Sequence, residues 1–296
     1  MPAHAVLLLC WNHEAFLETC IASLASQSEK DFEVIFLDNK SSDGSVALAR
    51  RLLAAADLPH QIMVNDAPAN IATNINRMFA KSSAPLVSFL STDDYYSPDY
   101  IKEMQAAWRA HPEAGLFYAD GWTYWDEEQR LERINSASHV SGHFLPQLLT
   151  GRDSFFFVGT CVPRKIFKEI GGFDESLRID DLDFFIRIAR NHPFQRVDAP
   201  LVTYRKSREA VSADSRFMIA GWEQYHRKYR GADFWDVDAW MAERYRQHAA
   251  ISVDAGDYRL AASLVAKSLR LRPFSVETHR TASYLLRRSV SALLGR

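Results

Sequence analysis

The stretch Pro85-Leu86-Val87-Ser88-Phe89-Leu90-Ser91-Thr92-Asp93-Asp94-Tyr95-Tyr96-Ser97-Pro98 decides how the rest of the chain is read. Its first six residues are dominated by apolar side chains, the pattern of a short strand buried on both faces. Two carboxylates follow where that strand ends. Ser97 with Pro98 reads as the N-cap and first turn of a helix from Pro98 to Ala110. In open parallel sheets ligands collect outside the carboxyl ends of strands, so a strand stopping in Asp93-Asp94 brings charge to the functional edge. A solvated turn is the competing reading, because Asp is common between elements.

Upstream, the same grammar repeats. Ala5 to Cys10 is an apolar strand broken by Trp11-Asn12-His13-Glu14, and a helix from Glu14 to Ser26 follows with Phe16, Leu17, Cys20, Ile21 and Leu24 on one face. Phe32 to Leu37 is a second strand, Val46 to Ala56 a helix, Gln61 to Val64 a strand and Ile71 to Lys81 a helix. Strands alternating with helices predict βαβ units, a parallel sheet and right-handed crossovers.

Downstream the pattern changes. Gly115 to Asp120 is a strand, Trp122 to Ile134 a hairpin candidate with aromatics and acids, and Phe155 to Val162 an apolar aromatic run. Pro163 to Ile170 reads as a helix capped by Gly171-Gly172, Asp180 to Asn191 as another, and Phe194 to Val197 and Leu201 to Tyr204 as two closing strands. From Ser212 onward the chain reads as helix. Ala255-Gly256-Asp257-Tyr258 with Ala261, Ala262, Val265, Leu269 and Pro273 suggests one tetratricopeptide-like hairpin, against a plain helical tail.

Composition sets bounds. The 296 residues are 47% hydrophobic and 24% charged, as in a globular chain of one or two domains. A net charge of −2 argues against a dedicated nucleic-acid binder. No apolar run is long enough to span a bilayer, and no secretory signal opens the chain. Cys10, Cys20 and Cys161 have no metal-type spacing and read as reduced thiols of a cytoplasmic protein. The Arg-rich segment Lys267 to Arg296 suits either a solvated helix face or peripheral contact with an anionic membrane.

Four polar clusters fall at predicted strand ends or loops: Cys10 to Glu14, Asp38-Asn39 with Ser42-Asp43-Gly44, Asp93-Asp94, and Asp180-Asp181-Leu182-Asp183. No Gly-rich phosphate loop is present, so a nucleotide phosphate would need another counter-charge. Adjacent carboxylates can supply it through Mg²⁺ or Mn²⁺, which favours one or two carboxylates plus substrate phosphates. Asp180 and Asp181 also suit a helix start, as caps or dipole partners.

The ordering of these clusters resembles the family 2 glycosyltransferases, inverting enzymes of the GT-A fold, over Ala5 to Ser212. Cys10-Trp11-Asn12-His13-Glu14 is similar to the family's opening Tyr-Asn loop. Asp38-Asn39-Lys40-Ser41-Ser42-Asp43-Gly44-Ser45 is similar to its nucleotide motif, and Thr92-Asp93-Asp94 to its metal motif. Gly171-Gly172-Phe173-Asp174-Glu175 and Asp180-Asp181-Leu182-Asp183-Phe184 resemble two further family motifs, the second of which carries the base.

The resemblance implies an α/β fold of GT-A type, a Rossmann-like mixed sheet with helices on both faces. That domain would span 1–212, with a nucleotide-sugar half over 1–112 and an acceptor half over 113–212, followed by a helical region over 213–296. It implies a nucleotide-sugar donor, most often UDP-linked, contacted by Cys10, Asn12, Glu14, Asp38, Ser42, Asp43, Asp93 and Arg205. Asp93 and Asp94 would hold the divalent cation, and Asp181 would be the catalytic base. The acceptor would be a glycan, a lipid-linked sugar or a glycosylated protein.

Four positions depart from the family pattern: Trp11 in place of Tyr, Ser91 where many members have Asp, Asn39 in place of a second Asp, and Ser207 where His is frequent. They leave open weaker metal dependence and a non-enzymatic scaffold role. A nucleotidyltransferase would want a basic Gly-rich loop at Trp11 to Glu14. Trp122, Tyr124 and Trp125 suit either a half-buried strand or an acceptor-stacking surface.

Overall fold

A computed structural model describes residues 1–134, 141–150, 158–179, 181–206 and 214–293. His4–Cys10 (β1) is the centre of its parallel half. Its apolar run is buried on both faces because strands flank it and helices cover it. Leu17–Ala25 (α1), Phe32–Asp38 (β2), Ser45–Ala55 (α2), His60–Val64 (β3), Ile71–Phe79 (α3) and Leu86–Ser91 (β4) follow in alternation. Alternate residues of β1 serve different cores. Val6, Leu8 and Cys10 join Leu17, Phe36, Ala49, Leu53 and Met104 in one cluster. On another side of the sheet Phe89 meets the edges of Phe173 and Phe184, and Phe79 stacks on Phe167 at 3.8 Å. Each fully buried ring contributes roughly 1.5–3 kcal/mol by transfer out of water.

Register then aligns the strand ends. Cys10 pairs with Asp38, Asp38 with Val64, and Leu9 with Ser91. The loops after β1, β2, β3 and β4 therefore leave from one edge. The order β3-β2-β1-β4 means that successive crossovers diverge between β1 and β4, which opens a crevice there.

The mixed half comprises Tyr95–Tyr96 (β5), Tyr100–Ala110 (α4), Leu116–Trp125 (β6), Arg130–Arg133 (β7), Leu145–Thr150 (α5), Cys161–Pro163 (β8), Arg164–Glu169 (α6), Asp181–Ala189 (α7) and Phe194–Lys206 (β9). The nine-stranded sheet runs β3-β2-β1-β4-β8-β6-β9-β5, with β7 paired antiparallel to β6. The chain is thus α/β with a mixed sheet, as expected.

Several boundaries move. The first helix begins at Leu17, not Glu14, because His13 O first accepts the Phe16 and Leu17 N–H groups in a turn. Ser97 caps nothing. Its hydroxyl donates to Pro200 O at 3.1 Å, Tyr95–Tyr96 pairs with β9, and α4 starts at Tyr100. The two closing strands are one strand of 13 residues. Its register against β6 shifts on either side of Asp120, which absorbs the extra residues around Pro200, a residue without a ladder donor. Phe155–Phe157, Asp180 and Ser207 lie outside the described residues.

The second compact unit holds Ser215–Tyr229 (α8), Val237–Asp254 (α9), Tyr258–Leu271 (α10) and Val276–Leu293 (α11). Asp214, Asp236 and Asp257 cap α8, α9 and α10 by accepting first-turn N–H groups. Gly256, at φ 77°, turns α9 into α10. Ser268 then donates to Ala242 O, and Arg272 bonds Asp236, so the two helices form an antiparallel hairpin. Trp235 packs edge-on to Trp240, and Tyr229 tilts against Trp235. Among the described residues no helix is long and apolar enough to cross a membrane.

Candidate active site

The loops after β1 and β2 close on each other. Asn12 adopts the left-handed backbone region at φ 54°. Its Oδ1 accepts from Ser42 N at 2.8 Å, and its N–H donates to Ser41 Oγ. Glu14 Oε2 accepts from Gly44 N at 2.8 Å, while Glu14 N donates to Asp43 Oδ2 at 3.1 Å. A Cβ at Gly44 would sit 2.3 Å from Glu14 Oε1, so glycine is what admits this carboxylate. Burial pushes the Asp43 carboxyl up, but hydrogen bonds from Ser45 and Glu14 outweigh it and hold it below the usual range. Asn12, Glu14, Ser42 and Asp43, expected as donor contacts, are thus engaged with one another. Cys10 meets the loop through its backbone. Its side chain is fully buried against Thr92 and Ser45, so only its backbone faces the loop, where Cys10 O accepts from Asn39 N at 2.8 Å.

Asp38 ends β2 with no exposed surface. Its Oδ1 accepts from Ser41 N at 2.8 Å, and its buried Oδ2 has no hydrogen-bond partner among the described residues. Beside it, Asn65 Nδ2 donates to both Asn39 Oδ1 and Asn74 Oδ1, and Arg77 donates to Asn65 Oδ1 at 2.6 Å. The helix supplying Asn74 and Arg77 is clamped by Glu175, whose carboxylate accepts from Thr73 Oγ1 and Asn76 Nδ2 at 2.8 Å each. Gly171 and Gly172, both at positive φ, make the turn that delivers Glu175 to α3.

Asp93 and Asp94 sit just past β4 in different states. Asp94 is 4% exposed and its Oδ1 accepts from Arg205 N at 2.8 Å. Burial, then the neighbouring Asp93 charge, pushes its carboxyl well above the usual range, with Arg205 opposing. Among the described residues Asp93 Oδ1 is buried without a hydrogen-bond partner, and His13 Nδ1 lies 3.9 Å from it. His13 Nδ1 also lies 2.8 Å from Thr92 Oγ1, which donates to Leu9 O. Among the described residues no cluster of three or more His, Cys, Asp or Glu could cage a metal. The donor set still fits Mg²⁺ or Mn²⁺, which bind through one or two carboxylates and take remaining oxygens from phosphates and water. Asp93, with its unpartnered oxygen, is the better placed ligand.

Arg205, another expected donor contact, has partners within the chain. Its Nη1 pairs with Asp126 Oδ1 at 2.5 Å, its Nε donates to Asp93 O at 3.2 Å, and its guanidinium lies 4.8 Å from Phe16 and 4.9 Å from Tyr124 ring centres. Its fork ties Asp93-Asp94 to the β6–β7 turn. Lys206 is placed over Trp125 at 4.5 Å.

Asp181 opens α7, half-buried, with Oδ1 accepting from Leu182 N at 2.7 Å. Burial raises its carboxyl above the ordinary value, opposed by that N–H. Asp183, in contrast, is fully buried and paired to Arg187 Nε at 2.8 Å, a structural role. Phe184, one turn from Asp181, stacks on Phe173 at 4.0 Å and meets Phe89 of β4, which anchors α7 beside the strand that ends in Asp93.

Sequence reasoning passed over Asp126, Phe16, Asn65 and Arg77. Asn74 and Asn76 were the available signal, because Asn is a poor helix-interior residue and two of them inside α3 need another cause.

The protein resembles known proteins in sequence and fold. RfbC, an O-antigen biosynthesis protein of Myxococcus xanthus, is 29% identical over 165 residues, which are 55% of this chain and 12% of RfbC. The chain thus spans a small part of that relative. An uncharacterized glycosyltransferase of Haemophilus influenzae is 22% identical over 71% of each chain. The crystal structure of Staphylococcus aureus TarS 1–349 in complex with UDP-GlcNAc has the same fold, with a TM-score of 0.68 at 15% identity, covering 99% of this chain and 92% of that one. The mannosyltransferase PcManGT of Pyrobaculum calidifontis, in complex with GDP-Man and Mn²⁺, aligns at 0.57 and 16% identity over 100% and 88%. The family model for glycosyl transferase family 2 matches residues 5–171, more than half of the chain, and the protein belongs to that family.

Proposed function

We propose that the protein is an inverting glycosyltransferase that moves a sugar from a nucleotide-sugar donor, UDP-linked by preference, to an acceptor hydroxyl in surface polysaccharide, glycolipid or glycoprotein synthesis. The observation that carries this reading is a pair of buried carboxylate oxygens without a hydrogen-bond partner among the described residues, Asp38 Oδ2 and Asp93 Oδ1, at two aligned strand ends. Leaving such oxygens unpaired costs about 1–3 kcal/mol each, which a ligand bringing a donor or a cation recovers. Asp38 would accept from a nucleobase N–H. Asp93, helped by Asp94, would hold Mn²⁺ or Mg²⁺, which when bound would neutralise charge on the departing diphosphate. The side chains of Asn12, Glu14, Ser42 and Asp43 are spent on one another, so these residues would shape the donor loop and present backbone groups to it.

Asp181 is the proposed base. Its raised affinity for a proton, caused by burial, brings it closer to the operating pH, where a general base is most effective. It would take the acceptor O–H proton as that oxygen bonds the anomeric carbon and the bond to diphosphate breaks on the opposite face. Complexes of fold neighbours with UDP-GlcNAc and with GDP-Man and Mn²⁺ support a nucleotide-sugar donor for this chain.

The test is a panel of UDP, GDP and dTDP sugars with and without Mn²⁺, read by thermal shift and by product formation. A donor raises apparent stability by binding only the native state. Asp181→Asn should cut turnover about 10²–10⁴-fold with donor affinity kept. No stabilisation by any nucleotide sugar, or unchanged turnover in Asp181→Asn, would sink the proposal.

A further inference from the structure

At the end of β4 opposite Asp93 lies a cavity of about 570 Å³, within the size range of small-ligand sites. The strand's residues rise about 3.3 Å each, so its two ends are roughly 17 Å apart. Leu86 at this end pairs with Pro163, and α6 begins at the next residue. Four cations line the cavity, Arg109 from the last turn of α4 and Arg164, Lys165 and Lys168 from α6, and none of its lining residues is acidic. Glu33, which acts on Arg164 electrostatically, is outside the lining and accepts from Ser82 Oγ at 2.7 Å.

Arg164 is fixed before any ligand arrives. Its Nε donates to Ala84 O at 2.6 Å, its Nη1 to Phe79 O at 3.3 Å, and its guanidinium lies 4.0 Å over the Phe79 ring. Its Nη2 is buried without a hydrogen-bond partner among the described residues. Capping the C-terminus of α3 accounts for the bond to Phe79 O. It accounts neither for the orphan Nη2 nor for Lys168, one helical turn further on the same face. Trp108 and Pro163 add a flat apolar wall.

We propose that this cavity binds the phosphate group of a phosphate ester whose remainder is ring-shaped or apolar, independently of the transfer reaction. Nη2 is the guanidinium donor left for a phosphate oxygen, and Lys168 and Lys165, whose Nζ donates to Pro112 O at 3.2 Å, add point charges around it. The ester can come from a soluble phosphorylated compound or from a lipid headgroup.

The experiment uses the full chain without divalent cations, so that the carboxylates near Asp93 repel phosphate. Calorimetry with phenyl phosphate and co-sedimentation with phosphatidylglycerol-containing vesicles are compared for wild type and Lys165→Gln/Lys168→Gln. Both lysines are exposed, so the variant is expected to fold. Binding of either probe should weaken about tenfold or more in the variant, while Asp93→Asn leaves it unchanged and the variant, assayed separately with Mn²⁺, keeps wild-type transfer. Phenyl phosphate alone points to a soluble ester, and vesicles alone to a headgroup. Failure of both probes to bind wild type, or equal binding to the double variant, overturns the proposal.

Discussion

The two sides of the carboxyl edge are built differently. The loops after β1 and β2 hold each other through bonds between residues about 30 positions apart, Asn12 with Ser42 and Glu14 with Gly44. The Asp93-Asp94 segment is held from more than a hundred positions away, by Arg205 on β9. The first arrangement is a self-contained brace. The second makes the proposed metal segment depend on the closing strand, on the β6–β7 turn through Asp126, and on Phe16 after β1. A change at any of those places should reach Asp93, whereas a change in the brace should stay local.

Arg205→Ala is the strongest way to break that contrast. It leaves the part-buried Asp126 without its partner and frees Asp93 O, at an expected cost of about 2–4 kcal/mol. Denaturant unfolding checks the loss, and Mn²⁺-dependent donor affinity should fall with it. Arg205→Lys should rescue little, because an ammonium cannot form the same fork. Unchanged stability in Arg205→Ala would remove the long-range tie.

A pH series sharpens the role of Asp94. Its folded proton affinity is raised by burial, so the folded state binds more protons than the unfolded one above the ordinary carboxyl pKa near 3.9. Stability should therefore decline as pH rises from that value to the raised one, by at most about 1.4 kcal/mol per pH unit. Asp94→Asn, which can still accept from Arg205 N, should lose that slope, and the advantage of the variant should grow with pH. Mn²⁺ should flatten the wild-type curve if the cation binds beside Asp94.

Glu14→Ala tests the brace. Glu14 is exposed, so losing its bond to Gly44 N should cost about 0.5–1.5 kcal/mol, with a few-fold weaker donor binding and no change at Asp93. The smallest effect is expected from Asp257→Ala in the helical unit. Removing the α10 cap should lower stability by about 1 kcal/mol and leave donor binding untouched. A change in donor affinity there would mean that the helical unit contributes to the site.

Much of the parallel half was legible because its information is local. Ala5 to Cys10 and Phe32 to Leu37 announce themselves as apolar runs, and the acids and amides that end them mark the edge. The mixed half hid its organisation for a physical reason. Tyr95–Tyr96 is too short to show a period, and β9 carries a proline and extra residues at its register shift, so it reads as two strands. Trp122-Thr123-Tyr124-Trp125 was readable as a strand, but not as the sandwich around Arg205.

The sequence alone determined the alternation of strands and helices, the placing of Asp38, Asp93 and Asp181 at element ends, and the family motifs that order them. Which of those residues keep a free oxygen was decided only by the tertiary structure. Spacing along a chain names donors and acceptors, but it cannot say which of them meet. Arg205 stands among the expected donor contacts, and only the fold adds that it pairs with Asp126 and lies against two rings; Asp94 is an expected metal ligand, and only the fold adds that it is buried and accepts from Arg205 N. Likewise only the fold shows that the Cys10 side chain is buried and that Asn12 and Glu14 bond the opposite loop. Hydrogen bonds in a folded chain are satisfied from wherever the fold brings a partner, and that partner is a property of the sheet and not of the motif.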